Sequence, residues 1–387
     1  MNQADVAIVG AGPAGSSAAI FLARKGYAVA LIDKERFPRE KLCGDFINPI
    51  NWPLFRSLGV EGKILSQQHQ KVIGFRMTSF SGEEAEASLT CAEDIGLGLR
   101  RCDLDHILLK QAAGEGAALF EETKVRSTRK ENSGWNLEID HRGIVEHLRA
   151  RVLIAADGRN SWVAHHLGMV AAGSMQGRSV GFQVRLKSLA QIGSKVEIHL
   201  FPGGYAGLVG LGDETITLGF AIDKAFLRQA RPTEGLLDSQ LSLNPHLKQI
   251  IRRSEVIGTM RSTYPVHFPP RRAYGDGILL VGDAARVSEP VTGEGIYFAM
   301  KSGGLAAKAL DRGFKAGDVS ARQLRIYERE CRRVFARRRR INSLVRWLMY
   351  RPTVLSPLIR LSNKRTRLLD SVVRLICQSE IVRQETV

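Results

Sequence analysis

The sequence predicts a mixed α/β chain: a parallel-sheet domain assembled from separate segments, a mainly antiparallel β domain inserted between them, and a helical C-terminal tail. Three observations carry this expectation. Val6 to Glu35, Arg149 to Gly168 and Gly275 to Gly303 are apolar and glycine-punctuated, and each reads as strand, turn and helix. Between them, Val72 to Leu89 and Ser179 to Ile222 alternate apolar and polar positions around glycine breaks, as antiparallel strands do. From Ala321 onward the pattern turns helical and basic, with breaks expected at Pro352 and Pro357. Glu121 to Val152 reads as a meander with a turn at Asn132-Ser133-Gly134. These readings place the first domain at residues 1–70, 100–170 and 274–320, the inserted domain at 71–99 and 171–273, and the tail at 321–387.

Composition narrows the function classes. The chain has 387 residues, 44% of them hydrophobic, which excludes a wholly disordered polymer. Its net charge is +17. From Arg322 to Arg374 there are sixteen Lys/Arg and three Asp/Glu, so +13 belongs to the tail and +4 to the body. The five cysteines, Cys43, Cys91, Cys102, Cys331 and Cys377, are scattered, with no C-x-x-C pair to indicate a disulfide framework or zinc site. No apolar run is long enough for a membrane span, and no signal peptide is read at the N-terminus. A reducing cytoplasm is the expected compartment.

The first segment carries Gly10-Ala11-Gly12-Pro13-Ala14-Gly15, a G-x-G-x-x-G turn after the strand Val6 to Val9. Gly10 permits the tight turn, Gly12 lets the backbone approach a pyrophosphate, and Gly15 allows close helix–strand packing. The helix opening near Pro13 presents unpaired N–H groups and a positive dipole end. Asp33 ends the second strand, 18 residues after Gly15, where a carboxylate can accept hydrogen bonds from a ribose. Strand, helix, strand and acid in register indicate a bound dinucleotide.

The third segment, "GILLVGDAARVSEPVTGEGIYFAMKSG", resembles the second FAD fingerprint of flavin-dependent aromatic hydroxylases and geranylgeranyl reductases. The resemblance implies a Rossmann-like FAD-binding domain with Gly282 and Asp283 at the ribityl chain. It also implies a turn, Pro290 to Ile296 with Gly293, Glu294 and Gly295, lying against the flavin. "AADGRNS" resembles the family's D-G motif, with Asp157 and Gly158 at the cofactor; Ser161 reads as a helix cap. "LRRCDLDHILL" resembles its Arg-x-x-x-Asp helix start and assigns Arg101 to the FAD phosphates or ribose, against a solvated arginine as the plain alternative. "FPREKLCGDFI" and "TGEGI" resemble the geranylgeranyl-reductase-like branch, which adds Lys34, Arg39, Cys43 and Gly44 to the implied cofactor site. Cys43 is read either as a pocket residue beside the flavin or as a small buried side chain.

The chain departs from that branch in one stretch. Where a Y-x-W-x-F-P pattern is common, "FPGGYAGLVGLGDETITLGF" keeps Tyr205 but has Gly207, Val209 and Gly210. Tyr205 and Phe201 are candidate pocket residues or plain core. Gly177 to Gly181 matches G-x-S-x-G, but the strand-like "FQVRLKS" after it is the wrong context for a nucleophile elbow. The halogenase pattern W-x-W-x-I-P is absent, and His165-His166 reads as a helix surface pair.

In the tail, arginines are interleaved with Val334, Phe335, Leu344, Val345, Trp347, Leu348 and Met349. The pattern fits docking of residues 322–374 on an anionic membrane, such as the inner face, or on an acidic acyl carrier protein; a helix packed on the body with a solvated basic face is the alternative. Nucleic acid is not expected, since no reading module accompanies the charge, and a basic nucleic-acid-binding protein is only a remote alternative. The sequence therefore indicates an FAD-dependent oxidoreductase acting on an apolar small molecule. The lead reading is reduction of carbon–carbon double bonds in an isoprenoid or lipid-like substrate, and the alternative is monooxygenation of an aromatic or polyketide. NAD(P)H or a protein reductase would be the transient electron donor, because no second G-x-G-x-x-G is present. No metal is expected.

Overall fold

A computed structural model describes residues 2–89, 95–132, 134–171, 177–188, 192–227, 235–287, 290–364, 370, 373 and 375–377. Ser133 of the expected turn, Cys91 and parts of the tail beyond Lys364 lie outside the described residues.

The three glycine-punctuated segments meet in one sheet. Strands Ile278–Leu280, Ile144–Ala155, Gln3–Val9, Val29–Ile32 and Ala118–Phe120 lie side by side in that order, all parallel. Val6 and Ile8 enter the core on one face and Ala4 and Ala7 the core on the other. Burial on both faces is why these strands read as unbroken apolar runs. Thr123–Glu131 and Gly134–His141 form the expected meander and feed Ile144–Ala155, whose far half joins the parallel sheet.

A second sheet of seven strands runs Ser254–Thr263, Ser179–Ser188, Thr215–Asp223, Gly204–Gly210, Lys195–Phe201, Gly74–Thr78, Glu84–Ser88. All neighbours are antiparallel except Lys195–Phe201 with Gly74–Thr78. Ser179 opens a strand, so the G-x-S-x-G match is no nucleophile elbow. A small sheet of Phe46–Ile47, Gly96–Gly98 and Gln70–Val72 lies against it. A methyl group added at Gly98 would sit 1.9 Å from Gly210 O.

The tail includes the helices Ala321–Met349 and Pro352–Lys364. Pro352 starts the second helix, but Pro357 lies inside it, contrary to the expected break. Leu355 and Ile359 on either side of Pro357 are buried in the cluster beneath the seven-stranded sheet, and this packing outweighs the local cost of the missing N–H. The first tail helix buries Leu324, Tyr327, Phe335, Arg338, Asn342 and Met349, a face recurring every three or four residues. Among the described residues no helix is long and apolar enough to cross a membrane.

Helix Pro13–Ala23 packs against helix Gly295–Lys315 through bare backbone: a methyl group at Gly303 would lie 2.3 Å from Ala14 O. Gly303→Ala should cost about 1–3 kcal/mol in a urea titration. Gly114→Ala, at an open helical position with nothing within 4 Å, should be neutral or gain up to ~1 kcal/mol.

Candidate functional site

The strand Gln3–Val9 ends in the glycine turn because the chain must reverse without side chains. Gly10 has φ +104°, and methyl groups at Gly10 and Gly15 would lie 2.4 Å from Ala156 O and 1.9 Å from Gly10 O. Gly12 precedes helix Pro13–Ala23, and no side chain caps that helix start. Its N–H groups are thus left for a ligand. Asp33 is buried and pins the turn: Oδ2 accepts from Ala11 N at 2.8 Å and Oδ1 from Glu35 N at 3.0 Å. Lys34 is exposed beside Glu35.

Four cations converge in front of this helix start. A guanidinium nitrogen of Arg39 comes within 3.6 Å of the space a Gly12 side chain would take, and Arg39 also reaches Asp105 at 3.2 Å. Arg101 holds buried Asp105 through Nε at 2.9 Å and Nη2 at 3.0 Å. Lys41 Nζ stands 3.9 Å from the side-chain space of Gly158. Arg159 stands 3.9 Å from Asp283, whose carboxylate is partly exposed. Burial, then Arg39 and Arg101, pushes the Lys41 ammonium below the usual lysine range, with Asp283 opposing. Such crowding of like charge is unfavourable alone and is relieved by a dianionic diphosphate. The groove therefore fits the phosphates of FAD.

Asp157 lies in the turn before helix Trp162–His166, with Oδ2 accepting from Val163 N at 3.0 Å, while Ser161 Oγ caps Ala164 N at 3.0 Å. Burial pushes the Asp157 carboxyl up. Cys43 N donates to Gln183 Oε1 at 3.2 Å; burial pushes its thiol up and Arg101 pulls it down. Gly44 has nothing within 4 Å of its side-chain space, and a methyl group at Gly219 would lie 3.8 Å from Gly44 Cα, so this loop passes close over the second sheet where neither residue carries a side chain.

At the other end of the groove, Gly282 has φ +56° and its N–H donates to Ser302 Oγ at 2.9 Å. Pro290–Thr292 makes a short turn, and Thr292 O accepts from Asn48 Nδ2 at 3.1 Å. Gly293 has φ +63° and abuts the Phe46 ring, which a methyl group would meet at 2.6 Å. Gly295 opens the long helix with nothing beside it, and Ile296 is buried. Glu294 is buried in an ion pair with buried Arg338 of the tail helix. Burial raises the Glu294 carboxyl pKa while Arg338 opposes.

An apolar cluster continues from this turn. It joins Phe46 and Val291 to Val209, Ala221, Val266 and Tyr205, and the tail closes it with Val345, Leu348, Met349 and Tyr350. The Tyr205 and Tyr350 rings meet edge-on at 5.9 Å. Phe201 does not join them: it is fully buried on the opposite sheet face with Leu236, Leu241 and Leu247.

Several neighbours escaped sequence reading. Asp45 is buried at φ +55° and gathers Arg101 N at 3.0 Å and Thr217 Oγ1 at 2.8 Å, tying three distant segments together; burial pushes its carboxyl up. Lys41 and Arg159 lay inside motifs already noted. Arg338 was hidden in the run Arg337 to Arg340, where only its place on the buried helix face distinguishes it.

Arg338→Met leaves Glu294 buried and unpaired and should cost about 3–5 kcal/mol. Pairing it with Glu294→Gln should recover most of that loss, read by thermal unfolding of the two proteins.

A family sequence model described as "FAD binding domain" matches residues 3–340. A digeranylgeranylglycerophospholipid reductase of Methanothermobacter thermautotrophicus is 28% identical over 345 residues, covering 86% of this chain and 83% of that protein. A menaquinone reductase of Mycobacterium tuberculosis is 30% identical over 331 residues, covering 80% and 77%. Among solved structures, a geranylgeranyl bacteriochlorophyll reductase-like protein of Thermoplasma acidophilum superposes with a TM-score of 0.78 at 22% identity, over 98% of this chain and 97% of that one. A flavin-dependent brominase gives 0.80 at 23% identity, over 97% and 93%. The chain is therefore a member of the FAD-binding family of flavoprotein oxidoreductases.

Proposed function

We propose that this flavoprotein saturates carbon–carbon double bonds in a prenyl lipid. The observation that carries the reading is the apolar wall running from Phe46 and Val291 at the cofactor turn to Tyr205, Tyr350 and Met349. The resemblance to reductases named for a digeranylgeranyl lipid and for menaquinone, both prenyl compounds, supports it. Bound FAD supplies two-electron hydride chemistry, drawing on NAD(P)H or a protein reductase.

The chain's own residues supply the rest. Arg39, Lys41, Arg101 and Arg159 neutralise the diphosphate at the Gly12 helix start. Asp33 keeps the turn in shape for it. The Gly293–Gly295 backbone stays free of side chains where it faces the ring, and Phe46 and Val291 shield that face from water. Gly207, in place of a bulky residue, has no neighbour closer than 4.0 Å to its side-chain space, which favours an elongated apolar ligand on that face.

The tail supports access to such a substrate. Beside its buried face it exposes Leu344 (59%), Trp347 (45%), Leu358 (44%) and Leu361 (50%), with exposed Arg340 and Arg351 nearby. This combination fits an anionic membrane surface, where buried apolar area and arginine charge act together.

Chemically reduced protein, incubated without oxygen with prenyl lipids, should yield products gaining two hydrogens for each double bond, read by mass spectrometry. Stoichiometric incorporation of oxygen on admitting air would replace this reading with monooxygenation. Trp347→Ser combined with Leu358→Ser should weaken sedimentation with anionic vesicles on the order of tenfold. Unchanged vesicle binding would remove the membrane from the proposal and leave an acidic acyl carrier protein as the partner to assay.

A further inference from the structure

We propose that a second cavity, which shares the Gly282 turn with the FAD groove and opens behind it, binds the phosphate group of a small molecule with an apolar body. The cavity has a volume of about 590 Å³, and its walls come from residues 270–274, the start of helix Gly295–Lys315 and the first tail helix. That size suits a compact organic ligand. The proposal does not rest on the redox reading: of the residues given to the FAD groove, Asp33, Lys41, Arg101 and Asp283 do not line the cavity, and Gly282 contributes only backbone.

Charge is the first argument. Among the described residues, five arginines line the cavity, Arg271, Arg272, Arg286, Arg332 and Arg339, against one carboxylate, Glu328. Glu328 is taken by Arg332 at 3.1 Å. Arg271 donates to Ala284 O and Arg159 O, each at 2.9 Å, and Arg272 stacks on Tyr274 at 4.8 Å. Among the described residues, Arg286 and Arg339 form no ion pair with a carboxylate. Arg332 and Arg339 are one heptad apart, so they share a helix face, and both crowd Arg286. Burial, then Arg339, pushes the Arg286 guanidinium down to about 10. A site that half-buries like charges in this way is satisfied by an anion, and the planar guanidinium fork is suited to phosphate oxygens.

The remaining wall is apolar. The rings of Phe298 and Phe335 meet edge-on at 4.9 Å on the cavity side of the two helices. Tyr327 spends its hydroxyl on Leu280 O at 2.9 Å and so offers only its ring. The ligand class is therefore a phosphate ester whose carbon body lies on these rings.

The test uses full-length, FAD-loaded protein and calorimetric titration with hexyl phosphate. Arg286→Ala and Arg339→Ala should each weaken binding about tenfold with bound FAD unchanged, whereas Arg333→Ala, outside the cavity on the same helix and paired with Glu330, should leave it nearly unaltered. Arg286→Lys keeps the charge but loses the fork and should weaken binding several-fold, which covers the case of an alanine variant that fails to fold. Sedimentation with phosphatidic acid vesicles forms a second arm. A response of hexyl phosphate to the cavity variants assigns a soluble ligand, and a response of the vesicles alone assigns the phosphate to a lipid headgroup. Equal losses in all variants, or no saturable binding in either arm, overturns the proposal.

Discussion

The structure depends on the direct backbone contact of its first helix with everything around it. Gly10, Gly15 and Gly303 leave no side chain between helix Pro13–Ala23, the strands beside it and helix Gly295–Lys315. This contact brings the ends of segments nearly 300 residues apart in sequence to one groove, with the open helix start facing it. Residues that are far apart in the chain, Asp33, Arg101, Arg159 and Asp283, become neighbours as a consequence.

The same groove explains how the tail's charge divides. Most of the +17 lies in the C-terminal segment, but its arginines are not equivalent. Arg338 is buried against Glu294 and holds the turn expected at the flavin. Arg332 and Arg339 face a cavity, while Arg340 and Arg351 face solvent. The tail is thus part of the enzyme's wall as well as its outer surface. Tyr350 and Met349 close the apolar cluster that Tyr205 opens on the sheet.

Local patterns made the parallel sheet legible in the sequence. The G-x-G-x-x-G turn, the strand ending at Asp33 and the Gly282-Asp283 turn each carry their conformation within a few residues. Cys43, Gly44 and Arg101 meet because the Asp45 carboxylate joins Arg101 N to Thr217, a contact over 172 residues that no local pattern encodes. Phe201 and Tyr205 looked alike as aromatic residues near a turn. The pleat separates them, since the Phe201 side chain enters one face of the sheet and Tyr205 the other. Pro357 read as a helix break because local propensity cannot register the packing of Leu355 and Ile359. Asp157 read as a cofactor ligand; its Oδ2 accepts from Val163 N at the following helix start, and its buried Oδ1 has no hydrogen-bond partner among the described residues.

The central claim is that the cation-ringed helix start at Gly12 holds FAD. The direct measurement is flavin absorbance per chain in purified wild-type, Gly12→Asp and Lys41→Glu proteins, each checked for folding by circular dichroism. The account predicts a yellow wild-type protein with one FAD per chain, and folded variants that have lost most of it. Folded variants that keep the wild-type flavin content would contradict the account.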